Sequence, residues 1–254
     1  IMKRHGNLYE KIIARENLEV AFDKARKGKT WQDTVKMADA NREKLLNELE
    51  VILKKRKYKT SAYRVKTIYE PKRRDIYILP FYPDRIVQHA IMNIIEPIWD
   101  NMMYYHSYAC RKRKGQHKGS TMCMRYIRKN KYCLKCDISK FYPSVNHDIM
   151  YRIIQRKIKC KYTLELLKEI IDSIPGDTNV PIGNYLSQWF GNMYLNELDD
   201  FVKHALRVKH YVRYCDDFVL FGEKEELAVL IPQLEKFIRE KLCMKMSKCN
   251  LFPV

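Results

Sequence analysis

The stretch Tyr211-Val212-Arg213-Tyr214-Cys215-Asp216-Asp217-Phe218-Val219-Leu220-Phe221 sets two adjacent carboxylates between two apolar segments. Tyr211–Val212 and Phe218–Phe221 read as strand halves, so Asp216 and Asp217 fall at the turn of a hairpin. Neighbouring acids repel, and both are drawn towards a buried sheet. Strand alternation would send one to each face, whereas a tight turn aims both at a common rim. Bound divalent cations relieve the repulsion, and magnesium prefers carboxylate oxygens completed by water and substrate phosphate. Acids are also common in solvated turns, so the pair alone does not decide.

A third acid, Asp137, stands near the end of a second strand, Tyr132–Ile138. Two metals held about 4 Å apart by such acids activate a 3′ hydroxyl and stabilise a leaving pyrophosphate. Around these strands the pattern is helical. Asp148–Lys159, Leu164–Ile174 and Ser187–Leu206 read as helices, and Pro175-Gly176-Asp177 as a turn. Glu223–Lys241 reads as a final amphipathic helix interrupted early by Pro232.

Towards the N-terminus, Asn7 to Lys57 has helical periodicity, with Gly28 and Thr30 implying at least two helices and a turn. Val65–Tyr69 and Ile76–Ile78 read as a hairpin with the charged tip Glu70-Pro71-Lys72-Arg73-Arg74-Asp75. Pro83 and Asp84 open a helix that runs to Pro97. Tyr108 to Gly119, carrying Arg111, Lys112, Arg113 and Lys114, reads as a basic loop or turn able to lie along a phosphate backbone. The fold class is α+β, with helices packed on one face of an antiparallel sheet.

Forty-nine Lys and Arg against 30 Asp and Glu give a net charge of +19, which points to a polyanionic partner, nucleic acid first. Eighteen Tyr add stacking surface for unpaired bases. The eight Cys are scattered; Cys133-x-x-Cys136 has no second pair and reads as strand, with zinc disfavoured. No apolar run reaches the length of a membrane span, and Ile1 to Glu10 lacks the apolar core of a signal peptide. The expected location is cytoplasmic, with no membrane partner.

Tyr214-Cys215-Asp216-Asp217, followed by Phe218-Val219-Leu220, resembles the Tyr-x-Asp-Asp motif of reverse transcriptases. Lys135 to Tyr142 resembles their first palm motif, an acid followed by the aromatic pair Phe141 and Tyr142. Pro181 to Gln188 resembles the segment that positions template and nucleotide. Ser107 to Arg111, with Gly115 and His117, and Asp84 to Gln88 resemble segments of enzymes related to group II intron reverse transcriptases. Where intron enzymes read Gln-Gly-x-x-x-Ser-Pro, this chain reads Ile182-Gly183-Asn184-Tyr185-Leu186-Ser187-Gln188, a variant similar to the enzymes of diversity-generating retroelements.

The resemblance implies a right-hand polymerase: an N-terminal helical segment (1–60), fingers (61–131, with a contribution from about 143–185) and a palm (132–254). It implies a thumb beyond Pro253, so the expectation is fingers and palm with the thumb missing. It implies RNA-directed DNA polymerase activity, error-prone at adenines, with group II intron, retron or phage-defence enzymes and a silent RNA-binding scaffold as the alternatives. Asp137, Asp216 and Asp217 would be catalytic and, with Ile138 beside them, would hold two Mg2+ ions, or Mn2+. Lys72 and Arg74 would hold the triphosphate, Tyr142 would exclude a ribose 2′ hydroxyl, and Ile182, Gly183, Gln188 and Lys248 would contact nucleotide or template. Gly183 would let backbone approach the nucleotide, and Arg111 to Lys114 would bind nucleic acid. The implied partners are template RNA, RNA/DNA duplex, dNTPs and a small basic accessory variability protein.

Overall fold

The computed structural model describes residues 4–254. They divide into two compact units: residues 4–101, 151–176 and 181–188 belong to the first, and 102–150, 177–180 and 189–254 to the second. Helices α1 (Tyr9–Ile13), α2 (Arg15–Arg26), α3 (Asp33–Ala40) and α4 (Arg42–Lys54) open the chain. The two-stranded hairpin β1 (Arg64–Ile68) and β2 (Arg74–Ile78) follows, then α5 (Ile86–Asp100) and α6 (Gln116–Ile127). Strand β3 (Tyr132–Ile138) leads into α7 (Phe141–Ser144), α8 (His147–Gln155), α9 (Lys161–Ile171) and α10 (Tyr185–Asp200). Strands β4 (His210–Tyr214) and β5 (Asp217–Gly222), helix α11 (Lys224–Leu242) and strand β6 (Met246–Pro253) complete the order.

The first unit is built on α2, whose buried Leu18, Ala21, Phe22 and Ala25 pack against α5. Helix α5 is apolar on most sides, as a helix enclosed by neighbours must be, and buries Val87, Ile91, Ile95 and Trp99. It continues past Pro97, contrary to the expected stop. Pro97 is exposed while Trp99 is fully buried, so burial of the last turn outweighs the lost backbone donor.

The second unit holds a four-stranded antiparallel sheet in the order β4-β5-β3-β6. Leu134, Cys136 and Ile138 alternate onto its buried face, opposite Phe218 and Leu220. Helix α11 packs on β3, β5 and β6 through Leu227, Leu234, Ile238 and Leu242. Pro232 lies on its exposed side and does not interrupt it, a second departure from the sequence reading. Within 189–200, helix α10 is buried on nearly every side. Three elements were not expected: α6, which begins within the segment read as a basic loop and runs beyond it, the short α7, and β6, an edge strand. No helix among the described residues is long and apolar enough to cross a membrane.

Candidate active site

The β4–β5 hairpin closes with Tyr214 opposite Asp217, leaving Cys215 and Asp216 as its turn. Cys215 takes a left-handed backbone, φ +52°, which lets two residues reverse the chain. Asp216 therefore sits on the turn and Asp217 on the first position of β5. Strand β3 lies beside β5, with Cys136 opposite Phe218. The ladder ends there, one residue before Asp137 on β3 and one after Asp217 on β5, and Asp137 lies on the face opposite the buried Cys136 and Ile138. The three acids thus occupy neighbouring strand ends of one sheet.

Strand β6 flanks β3 on the other side. Its register pairs Asp137 with Lys248 and Ile138 with Met246, so Ser247 is an extra residue, a bulge. The bulge aims Ser247 at the acid: its hydroxyl donates to Asp137 Oδ2 at 2.7 Å. Lys248, exposed and directly across from Asp137, brings a cation to the same strand end. Among the described residues, no three His, Cys, Asp or Glu side chains are drawn together closely enough to hold a metal ion alone. The donors present are hard carboxylate oxygens. They suit Mg2+, which takes one or two protein carboxylates and fills its octahedron with water and phosphate.

Behind the turn lies a buried ion pair. Arg213 and Asp199 are both fully buried. Arg213 Nε and Nη2 donate to Asp199 Oδ1 and Oδ2 at 2.8 and 2.6 Å. Nη1 donates to Asn192 Oδ1 at 3.2 Å and to the Cys215 carbonyl at 3.1 Å. Tyr211 Oη also donates to Asp199, at 2.8 Å. Burial alone would pull the Arg213 guanidinium down; Asp199 against it more than offsets this and keeps it charged. Sequence reasoning missed Arg213, Asp199, Asn192 and Ser247. The available signal was an Arg inside an apolar strand and an Asp in the apolar run of α10.

Tyr142 is seated on α10 at Gly191, where a Cβ would meet Phe141 Cε1 at 3.0 Å and Tyr142 Cε1 at 3.3 Å. Burial raises the Tyr142 hydroxyl first, and Cys215, Cys110 and Asp216 add to the rise. Cys110 is pushed down to about 7 by a hydrogen bond with Cys215, whose own thiol is raised by the same bond.

The segment read as a basic loop is tightly folded. Arg213 N donates to His106 O and Tyr108 N to Arg213 O, each at 3.0 Å, so the segment adds a short parallel bridge beyond β4. Arg111 Nη1 donates to the Tyr104 and Ser107 carbonyls at 2.8 and 3.0 Å. Lys114 donates to Tyr105 O at 2.7 Å and lies over the Tyr105 ring. Both cations therefore brace the segment itself. Arg113 holds a left-handed backbone, φ +60°, and Lys112 stands between these residues.

In the first unit, Lys72, Arg73 and Arg74 are exposed at the tip of the β1–β2 hairpin. Tyr77 N donates to Ile182 O at 2.7 Å, and Asn184 Nδ2 to Tyr77 O at 3.3 Å, so the Pro181–Asn184 loop is pinned along β2. Gly183 sits at φ +111°, and a Cβ there would meet Ile76 Cγ2 at 2.8 Å and Tyr77 O at 3.0 Å. The glycine is required by this packing. Gln88 Oε1 accepts from Leu186 N at 3.2 Å and caps the start of α10, while Gln188 is exposed.

The model of the family described as reverse transcriptase (RNA-dependent DNA polymerase) matches residues 52–253. Protein YkfC of Escherichia coli is 25% identical over 215 residues, covering 66% of this chain and 56% of that protein. The group II intron-encoded protein LtrA of Lactococcus lactis is 22% identical over 241 residues, covering 67% of this chain and 40% of that one. The retron Ec73 reverse transcriptase of Escherichia coli is 25% identical over 178 residues, covering 66% and 52%. The chain thus spans about half the length of these relatives. Among solved structures, Candida albicans telomerase aligns with a TM-score of 0.59 at 11% identity, over 79% of this chain and 44% of that one. Candida tropicalis telomerase, truncated from its C-terminal domain, gives 0.55 at 12% identity, over 83% and 55%. These likenesses support the α+β polymerase fold expected from the sequence, fingers and palm with an antiparallel sheet packed on helices. A match over four-fifths of the residues, containing the two-strand arrangement of Asp137, Asp216 and Asp217, identifies the chain as a member of the reverse transcriptase (RNA-dependent DNA polymerase) family.

Proposed function

We propose that this chain is the polymerase core of an RNA-directed DNA polymerase that extends a primer 3′ end with dNTPs on an RNA template. The observation that supports the reading is the ladder between β3 and β5, whose last pair, Cys136 and Phe218, adjoins Asp137 on one strand and Asp217 on the other. Asp137 and Asp216, with the backbone at Ile138, would hold two Mg2+ or Mn2+ ions, and Asp217 would assist beside the primer end. When bound, the ions lower the pKa of the 3′ hydroxyl and neutralise charge on the leaving pyrophosphate. The hydroxyl oxygen bonds to the α-phosphorus, the bond to the β-phosphate oxygen breaks, and pyrophosphate departs.

The chain's own residues supply position and charge. Lys248 brings a cation to the phosphates from the strand beside Asp137. Tyr142, held on Gly191, supplies a wall against a ribose 2′ hydroxyl. In the first unit, Lys72 and Arg74 are the exposed cations offered to nucleotide phosphates, and Ile182, Gly183 and Gln188 the segment offered to template or nucleotide. The net charge of +19 supports binding of template RNA and RNA/DNA duplex. Of the basic segment, Lys112 and Arg113 are the exposed cations offered to phosphate, while Arg111 and Lys114 are half-buried and donate to nearby backbone carbonyls.

The finer assignment is to the diversity-generating type, copying with errors at template adenines alongside a basic accessory variability protein in a bacterial or phage-infected cell. Its support is the Ile182-Gly183-Asn184-Tyr185-Leu186-Ser187-Gln188 segment. Extension of a DNA primer on a defined RNA template with Mg2+ tests the activity, and sequencing the product tests the subfamily. The expected result is RNA-templated extension with misincorporation concentrated opposite adenine. Absence of extension with either metal would refute the activity, and even fidelity at all four template bases would refute the subfamily.

A further inference from the structure

We propose that Arg213 is a positioning residue that fixes the Asp216 turn through the Cys215 carbonyl; the inference rests on the polymerase reading above. Cys215 is the residue immediately before Asp216, and its left-handed backbone leaves its carbonyl turned inward, away from strand pairing. A partly buried carbonyl outside the strand ladder needs a donor, and Arg213 Nη1 supplies it at 3.1 Å. The guanidinium cannot swing away. Asp199 grips Nε and Nη2 in two parallel bonds, and Asn192 takes a share of Nη1.

Each partner of the guanidinium is itself anchored. Asp199 and Asn192 lie seven residues apart, two turns of α10, and therefore on one face of the helix. Asn192 Nδ2 reaches the Ala109 carbonyl at 2.9 Å, and Tyr211 Oη ties Asp199 back to β4. The Arg213 backbone is fixed in both directions by His106 and Tyr108. A rigid helix thus transmits its position through one planar side chain to the turn that carries the acid.

The chemistry demands arginine. The fork reaches a carboxylate in two places and a carbonyl in a third direction at once, whereas a lysine ammonium concentrates its donors on one atom. Lysine would keep the charge against Asp199 and release the turn. A pair without a positioning role would leave exchange at the turn unchanged when replaced by apolar residues of similar volume, a replacement that often costs no stability.

The test uses Arg213→Lys and the double variant Arg213→Met/Asp199→Leu, each read by amide hydrogen exchange of peptides covering 214–217, by thermal unfolding and by primer extension. Expected are melting temperatures near that of the parent, turn amides exchanging about tenfold faster, and kcat lowered about tenfold with the dNTP KM little changed. The half-saturating Mg2+ concentration rises alongside. Turn exchange unchanged in a folded variant overturns the proposal, as does failure of both variants to fold, since the pair would then hold the fold rather than place the turn. If the parent protein extends no primer, the polymerase reading fails by itself, while exchange at the turn still decides whether Arg213 positions it.

Discussion

Replacing Gly183 by alanine separates two penalties that a second glycine permits one to measure apart. At Gly183 the backbone has φ +111°, and the new methyl would lie 2.8 Å from Ile76 Cγ2 and 3.0 Å from Tyr77 O. Gly176 has a similar φ, +104°, but nothing within 4 Å of its Cβ position. Backbone strain is common to both and costs about 1–3 kcal/mol. Only Gly183→Ala also forces the loop off β2, where Tyr77 N donates to Ile182 O at 2.7 Å. Losing that bond and the contacts around it adds about 1–2 kcal/mol. A total of about 3 kcal/mol in a domain of this size lowers the melting temperature by about 6–12 °C. Gly176→Ala loses roughly half as much or less. Thermal unfolding followed by circular dichroism measures both. A Gly183→Ala protein as stable as Gly176→Ala would refute the claim that the glycine exists to let the loop lie on the hairpin.

Three further outcomes follow from single contacts. Ser247→Ala removes the hydroxyl held 2.7 Å from Asp137 Oδ2 at an exposed bulge; kcat falls about fivefold with the melting temperature unchanged, and an unaltered kcat would show the bond idle. Cys136 and Cys249 are opposed on β3 and β6 with Sγ atoms 2.7 Å apart, a spacing of strands that permits a disulfide. Treatment with a thiol oxidant joins their peptides in a non-reducing mass map, and Cys249→Ser abolishes the joined species; no joined peptide in the parent refutes this. Burial first, then Lys29, Arg85 and Lys24, pulls His89 down to about 4. The unfolded chain therefore binds the extra proton from about pH 6.5 downwards, and stability present above that pH is lost towards pH 4. Melts between pH 6.5 and 5 should slope less for His89→Gln than for the parent; equal slopes would assign the dependence to other groups.

Much of the architecture was readable because single residues announced it. Strand Tyr132–Ile138 appears with the bounds read from its alternation, and the hairpin around Asp216 and Asp217 appears with Asp216 on its turn and Asp217 opening β5. The errors have separate physical causes. Pro97 and Pro232 both stand in continuing helices, on exposed faces, because burial of Trp99 and of Leu234 and Ile238 outweighs the local penalty. Helix α6 escaped notice because its apolar stripe, Met122, Cys123, Tyr126 and Ile127, is short and only partly buried, and it follows a run dominated by basic residues. Strand β6 is a mostly exposed edge whose side chains show no clean alternation, and only pairing with β3 defines it.

Within the site, the acids were singled out by the resemblance of Tyr214–Asp217 and Lys135–Tyr142 to reverse transcriptase motifs, because two adjacent carboxylates alone also suit a solvated turn. Their supports were not. Ser247 matters only because a bulge turns it towards Asp137, and Asp199 only because α10 passes behind β4. Both facts belong to tertiary pairing, which no local window contains. The basic run Arg111 to Lys114 shows the converse. Its charge suggested phosphate, yet two of its four cations bind carbonyls within the same segment.

The central claim is that Asp137 and Asp216, far apart in sequence, act as one metal-binding pair in RNA-templated DNA synthesis. The direct measurement is steady-state primer extension by Asp137→Asn and Asp216→Asn beside the parent, with template binding measured in parallel. The account predicts a fall of about a thousandfold or more in kcat for each variant, with RNA affinity retained and the double variant little worse than either single one. Extension by either variant at a rate near the parent's would contradict it.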